Sequence, residues 1–229
     1  MSPASAHGVA ERLRAVQRRI SSAAAAADRD PSEIHLVAVS KRQPVEAIRE
    51  AYALGQRLFG ENYVQELAQK AAQLSDLEEL RWHFIGHLQR NKVKEVLRAG
   101  AFIETLDSPR LAAALGQHAR ASDLELSVLV QVNLGGEAQK FGCSEATLGS
   151  LIELVGAEEG LRLEGLMTVP PLAQSPEASR PIFRRLRELA QAHGLRSLSM
   201  GMSADLEVAV QEGATHLRVG TAIFGPRPA

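Results

Sequence analysis

The chain has 229 residues, 45% hydrophobic and 23% charged, which is enough apolar material for a sizeable core and too much for wholesale disorder. Its 26 Lys and Arg against 27 Asp and Glu leave a net charge of −1, so nothing in the balance points to nucleic acid or to a basic partner. A single cysteine, Cys143, excludes an internal disulfide framework and a cysteine-built zinc site, no run reaches the roughly 18 apolar residues of a membrane helix, and the opening residues carry arginines where a secretory signal would be apolar. A soluble, cytoplasmic protein with no nucleic-acid or membrane partner is expected.

Val9, Leu13, Val16 and Ile20 recur at helical spacing, with Arg12, Arg14, Arg18 and Arg19 between them. This helix should run to about Ala27 and stop at Asp28 to Pro31. Ile34 to Val39 is short, apolar and β-branched, as a strand buried on both faces should be. Pro44 suits a first helical turn and Gly55 a helix end, with Val45, Ile48 and Tyr52 on one face. A strand at Arg57 to Gly60, a helix at Asn62 to Leu74, a strand at Trp82 to Gly86 and a helix at Asn91 to Arg98 follow. Phe102 to Leu106 reads as a strand, and Ser108-Pro109 as the cap and first turn of a helix ending near Arg120. After the strand Leu126 to Val132, Ser144 is placed to cap a helix with Leu148, Leu151, Ile152 and Val155 on its apolar face and Gly156 as its stop. Leu163 to Met167, Ser197 to Met200 and His216 to Val219 are three further strands. The helices between them end at His193-Gly194 and Glu212-Gly213.

Eight strands in strict alternation with helices argue for an α/β fold with parallel strands. In 229 residues they fit one domain, a closed (β/α)8 TIM-type barrel. Only nine residues follow Gly220, too few for a full outer helix, so the additional N-terminal helix is expected to cover that face. An open doubly wound sheet is the alternative, but no G-x-G-x-x-G follows the first strand.

The chemistry of such a barrel gathers at the C-terminal ends of its strands. Those ends carry Ser40-Lys41, Gly60-Glu61-Asn62, Gly86-His87, Asn133, Thr168, Gly201-Met202-Ser203 and Gly220-Thr221. The segment SMGMS, Ser199 to Ser203, opens a helix predicted over Ala204 to Glu212, whose free N–H groups would face an anion. Gly220 permits close backbone approach, and Thr221 adds a hydroxyl. The plain alternative is that Ser203 only caps a helix and Gly220 only makes a turn. Lys41 is delivered to the mouth by an apolar strand. A partly desolvated lysine is nucleophilic and forms a Schiff base with an aldehyde, whereas a solvated one does nothing. An aldehyde joined to a phosphate describes pyridoxal 5′-phosphate (PLP), and equally a sugar phosphate. Arg218 shares a face with Gly220 and, if buried, needs a partner. That partner is either a carboxylate from another strand or a pyridine nitrogen. Arginine keeps its proton, so a pyridine opposite it stays neutral and is a weak electron sink.

Seven segments carry a resemblance: VAVSK (Val37 to Lys41), FGENYVQE (Phe59 to Glu66), WHFIGHLQRNK (Trp82 to Lys92), VQVNLGGEAQKFG (Val130 to Gly142), GLMTVP (Gly165 to Pro170), SMGMSADLE (Ser199 to Glu207) and RVGTAIFGPR (Arg218 to Arg227). In this order, over nearly the whole chain, the sequence resembles the YggS/PROSC family, the pyridoxal phosphate homeostasis proteins. The resemblance implies a barrel like the N-terminal domain of alanine racemase, without the β-rich second domain. It implies PLP on Lys41 as an internal aldimine, Arg218 at the ring nitrogen and Asn62 close to the cofactor. The phosphate would be held by Ser199, Met200, Gly201 and Ser203 together with Gly220 and Thr221. It further implies a monomer that buffers PLP or hands it to PLP-dependent apo-enzymes, with little or no catalysis.

An amino-acid racemase or lyase using PLP is the alternative function, and a cofactor-free enzyme acting on sugar phosphates a third. A racemase needs a base on each face of the substrate carbon. Lys41 serves one, Tyr52 and Tyr63 lie on predicted helices, and His83 and His87 remain. One of these histidines is expected to pack beneath the cofactor and the other to lie on the surface, with no metal between them. Cys143 is expected to be inert and the cluster of Arg180, Arg184, Arg185 and Arg187 to be a solvated face. Lys140 reads as a solvated loop lysine, the alternative being a secondary amine for PLP. The loop Pro170 to Pro181, with four prolines, is a candidate lid.

Overall fold

Short apolar strands buried on both faces pair best with one another in parallel and leave no edge when the sheet closes. The computed structural model, which describes residues 8–136, 141–171 and 175–226, has this arrangement. Strands β1 (His35–Val39), β2 (Leu58–Glu61), β3 (Arg81–Phe84), β4 (Phe102–Leu106), β5 (Leu126–Gln131), β6 (Leu161–Met167), β7 (Ser197–Ser199) and β8 (His216–Val219) form a closed barrel in chain order. β1 pairs with β8 in parallel, with Val37 opposite Arg218. The expected TIM-type barrel is present, and the open doubly wound sheet is not.

The outer ring consists of α1 (Val9–Ala26), α2 (Val45–Ala53), α3 (Val64–Gln73), α4 (Val93–Arg98), α5 (Pro109–Ala121), α6 (Glu145–Ala157), α7 (Arg180–Ala192), α8 (Leu206–Gln211) and α9 (Thr221–Phe224). α9 is a single turn, and α1 covers the barrel wall there, as its apolar stripe predicts. Val9, Leu13, Val16, Ile20, Ala23 and Ala24 are buried. Arg12 Nε donates to the Ile223 carbonyl at 2.7 Å and Arg19 to Glu207 at 2.6 Å, fixing α1 to α9 and α8.

Several boundaries differ from the sequence reading for local reasons. Gly156 lies inside α6 rather than ending it, and the chain turns at Glu158 instead. Ser108 and Ser144 occupy N-cap positions, but neither side chain caps a backbone N–H. Ser144 Oγ instead lies 3.0 Å from Thr147 Oγ1. The helix predicted from Ala204 starts at Leu206, because Asp205 is its N-cap residue.

The main core lies between sheet and helices, around Phe59, Phe84, Ile103, Leu115 and Phe183. Val37, Val39, Leu129 and Met167 are buried apart from it, inside the barrel. That interior is not filled by aliphatic residues alone. Glu104, Ser199, His83, His216 and Arg218 are buried as well, and these polar side chains connect the two mouths.

Candidate functional site

Lys41 follows β1 at the C-terminal mouth and is half-buried. Its turn is held from below by a side chain that sequence reasoning passed over. Lys70 Nζ donates to the Ser40 carbonyl at 2.8 Å, to Glu61 Oε1 at 2.7 Å and to Glu66 Oε2 at 3.0 Å, so all three ammonium protons are used. Ser40 Oγ also donates to Glu61 Oε1, at 2.7 Å, and the Arg42 N–H donates to Glu66 Oε2 at 2.7 Å. Arg42 has φ of 60°, a left-handed conformation uncommon outside glycine, and the Glu66 carboxylate holds it there. The lysine-bearing turn is therefore clamped on both sides of Lys41. A signal for Lys70 exists: Val64, Leu67 and Lys70 are the buried positions of α3, at the spacing of one helical face.

Beside this clamp, two buried acceptors, Glu61 Oε2 and Asn62 Oδ1, have no hydrogen-bond partner. Native structures contain few such groups, and each here, at the C-terminal end of β2, calls for a partner such as an ordered water or a ligand. Burial holds the Glu61 carboxyl above the usual carboxylate range, against the pull of Lys70 and Ser40. Asn62 is fixed by close backbone packing. A Cβ on Gly86 would fall 1.9 Å from the Asn62 carbonyl oxygen, so only glycine fits there.

Arg218 is 4% exposed. Its Nη1 donates to Ser199 Oγ at 2.6 Å and its Nη2 to the Thr168 carbonyl at 2.8 Å. Ser199 Oγ in turn lies 2.5 Å from Glu104 Oε2, and Glu104 Oε1 lies 2.6 Å from His83 Nδ1. Burial by itself would raise the Glu104 carboxyl, but the His83 hydrogen bond and the nearby Arg218 guanidinium bring it down to about 2. Burial lowers the Arg218 pKa, with Glu104 and Asp205 opposing, and the guanidinium remains charged. The sequence left open whether a carboxylate from another strand would partner Arg218. Glu104 of β4 is that carboxylate, one hydroxyl removed.

The SMGMS segment, Ser199 to Ser203, leads from β7 toward α8. Met202 N–H is bonded to Asp205 Oδ1 at 2.7 Å, and Asp205 Oδ2 accepts from Ser179 Oγ at 2.9 Å. Asp205 thus closes the turn that precedes α8 without capping a first-turn N–H of the helix. Ser199 faces Arg218, and the Met200 side chain belongs to the core around the helices. Gly201 has φ of 92°, and a Cβ there would sit 2.4 Å from Ala209 Cβ, so its role is the turn itself. Ser203 Oγ remains open to the mouth: it accepts from Thr221 Oγ1 at 3.3 Å and from Ala222 N–H at 3.4 Å, contacts longer than a good hydrogen bond. These three groups converge beside Gly220, at the start of α9.

The two histidines separate. His83 lies inside the barrel, its ring 5.0 Å from Phe102 and 5.9 Å from His216. His87 is exposed and stacks on Phe141 with centroids 3.9 Å apart. Tyr63 is exposed, and Tyr52 lies under the Arg57 guanidinium, 4.2 Å away. Cys143 is buried and its thiol is pushed up to about 11, chiefly by burial. Arg184 and Arg185 are exposed as expected and Arg180 and Arg187 partly so, while Arg180, Arg184 and Arg187 converge on the buried Glu212. Among the described residues no cluster of three or more His, Cys, Asp or Glu suits a metal, and no helix is long and apolar enough to cross a membrane. Lys140 and residues 172–174 of the Pro170 to Pro181 loop lie outside the described residues.

The chain as a whole resembles known proteins. Residues 12–228 match the family described as alanine racemase, N-terminal domain. A pyridoxal phosphate homeostasis protein of Pseudomonas aeruginosa is 46% identical over 221 residues, covering 96% of each chain. The chain belongs to the pyridoxal phosphate homeostasis protein family. The Bos taurus member is 41% identical over 239 residues, covering 96% of this chain and 88% of its own. Within the same family architecture, the solved structure of PipY from Synechococcus elongatus with PLP bound superposes with a TM-score of 0.83 at 38% identity, covering 95% of this chain and all of PipY. Alanine racemase from Corynebacterium glutamicum shares the fold, with a TM-score of 0.71 at 19% identity over 61% of its own length.

Proposed function

We propose that this homeostasis-family barrel binds PLP covalently through the Lys41 amine and stores or hands over the cofactor, with little turnover of its own. The observation that carries the reading is a half-buried lysine, clamped in its turn, sharing a mouth with unpartnered Glu61 Oε2 and Asn62 Oδ1 and with a buried arginine. PLP supplies an aldehyde that condenses with a primary amine and a pyridine ring that draws electrons from what is attached. The residues present fit that group. Arg218 donates toward the ring nitrogen and, being a permanent cation, leaves that nitrogen unprotonated. Ser203, Thr221 and the Ala222 N–H bind the phosphate beside Gly220, where a Cβ would press to 3.1 Å from the Val39 carbonyl. Met200 and Gly201 contribute through backbone shape, and the Ser199 hydroxyl faces Arg218. Asn62 offers an acceptor at the ring edge.

Restraint of catalysis follows from the same residues. An electron sink opposed by a guanidinium is weak, and Tyr52 is occupied beneath the Arg57 guanidinium. PLP-dependent apo-enzymes in the cytoplasm are the proposed recipients, and the protein acts as a monomeric single domain.

The purified protein should show a yellow absorbance band. Borohydride reduction and peptide mapping should place the label on Lys41. A colourless folded protein that cannot be loaded with PLP, or a label on another lysine, would overturn the assignment. Catalysis would show as substrate-dependent exchange of α-protons in deuterated water, and the expected result is negligible exchange for every amino acid offered.

A further inference from the structure

Every proton in the chain of groups behind Arg218 has a determined direction. Arginine only donates, so Ser199 Oγ accepts from Nη1 at 2.6 Å and its single hydroxyl proton must go elsewhere. Glu104 Oε2, at 2.5 Å, is where it goes, and Oε1 of the same carboxylate accepts from His83 Nδ1 at 2.6 Å. Glu104 and Ser199 are wholly shielded from solvent, so no water competes for either hydroxyl lone pair or proton. We propose that Glu104 and Ser199 are positioning residues for the cofactor's ring-nitrogen pole, the carboxylate orienting the hydroxyl and the hydroxyl holding the guanidinium up toward the ring. The proposal rests on the reading that Arg218 meets that nitrogen, and it moves Ser199 from the phosphate end to the ring end of the site.

The geometry argues for a spacer rather than a direct ion pair. A guanidinium next to a bare carboxylate takes it in two parallel bonds and turns its donors toward it. Ser199 prevents this. It leaves the compensating charge one hydroxyl away, while the Thr168 carbonyl fixes the second arm at 2.8 Å. With two of its donors directed into the barrel wall, the guanidinium has a set orientation before any ligand arrives. Removing Glu104's charge frees the hydroxyl to rotate and leaves a buried cation without its nearest opposite charge.

Ser199→Ala and Glu104→Gln test this, with affinity measured for PLP and for pyridoxal, which has the ring but no phosphate. Both variants should still carry the borohydride label on Lys41. Each should bind PLP and pyridoxal about tenfold more weakly, by the same factor for both, because one charge-assisted hydrogen bond at the ring is lost. The absorbance band of the bound cofactor should shift, and the double variant should be no worse than the worse single one. A loss confined to PLP would return Ser199 to the phosphate and overturn the proposal. So would a lowered melting temperature of the cofactor-free protein with affinity and band unchanged, which is what a merely structural network produces. Should Glu104→Gln fail to fold, Ser199→Ala decides alone. Absence of PLP from the unmodified protein would instead sink the functional reading itself, so the two failures are distinguishable.

Discussion

The two mouths of this barrel contrast in a way that volume does not capture. The N-terminal mouth opens a cleft of about 460 Å³, walled by Trp82, Phe102 and Leu126 and floored by His35, His83 and His216. It has the size and apolar lining of a ligand pocket. Its deepest polar groups nevertheless have partners inside the protein: His83 is bonded to Glu104, and His216 Nδ1 lies 2.9 Å from Thr215 Oγ1. The C-terminal mouth holds Lys41 and two buried acceptors with nothing to accept. Unmet chemistry, rather than room, distinguishes the face that binds from the face that stabilises, in line with the division of labour in barrels.

The sharpest test of that contrast is Lys41→Ala, which should abolish all borohydride-trappable PLP while the circular dichroism spectrum and melting curve stay close to those of the parent. A persistent lysine adduct would show that the reactive amine lies elsewhere. Next comes Lys70→Met. It strands Glu61 and Glu66 facing one another and should lower unfolding stability by about 3 kcal/mol in urea titrations, the cost of breaking a buried pair. It should also loosen the lysine-bearing turn, so that the PLP off-rate rises with the label still on Lys41. Unchanged release kinetics would confine Lys70 to stability.

The N-terminal mouth should respond to acid instead. Burial lowers the His216 pKa from 6.5 to about 4 in the folded protein. Between those values the unfolded chain binds the proton more readily, so stability falls as pH falls from 6.5 toward 4. Glu104, depressed from 4.5 to about 2, continues the loss below pH 4.5. Glu61, raised by burial, opposes it above the ordinary carboxylate range. The unfolding free energy from urea titrations should therefore drop on going from pH 7 to pH 4.5, by an amount on the order of 2 kcal/mol, and His216→Gln should flatten that slope. A slope untouched by this substitution would assign the acid sensitivity to other groups. The smallest effect belongs to Cys143. Its buried thiol, near 11, should resist thiol reagents in the native protein at pH 8 and react only after denaturant is added.

Much of this was legible in advance where one element suffices. Apolar β-branched runs separated by helical stripes define the strands, their order and hence the barrel, and the run Val37 to Val39 ends at Lys41 whatever surrounds it. Glu104 was legible in a weaker sense, as a lone charge within the apolar strand Phe102 to Leu106, and Lys70 as a charge on the buried face of its helix. Neither could be assigned a partner from spacing. Ser199 and Glu104 are 95 residues apart, and Lys70 reaches back 30 residues to the Ser40 carbonyl. The turn geometry of SMGMS was likewise beyond reach of the pattern. Asp205 closes that turn by accepting from Met202 N–H, a contact between residues three apart that no periodicity announces.

The sequence by itself determined the alternation of strands and helices, the place of Lys41 at a strand end and the side of β8 on which Arg218 lies. These depend on period and position along one segment. The tertiary structure alone decided that Arg218 is answered by Glu104 through Ser199, that α1 stands in for an eighth outer helix, and that Ser203, Thr221 and Ala222 converge beside Gly220. Each of these depends on which residues come face to face across the barrel. Strand tilt and stagger set that only when the eighth strand meets the first.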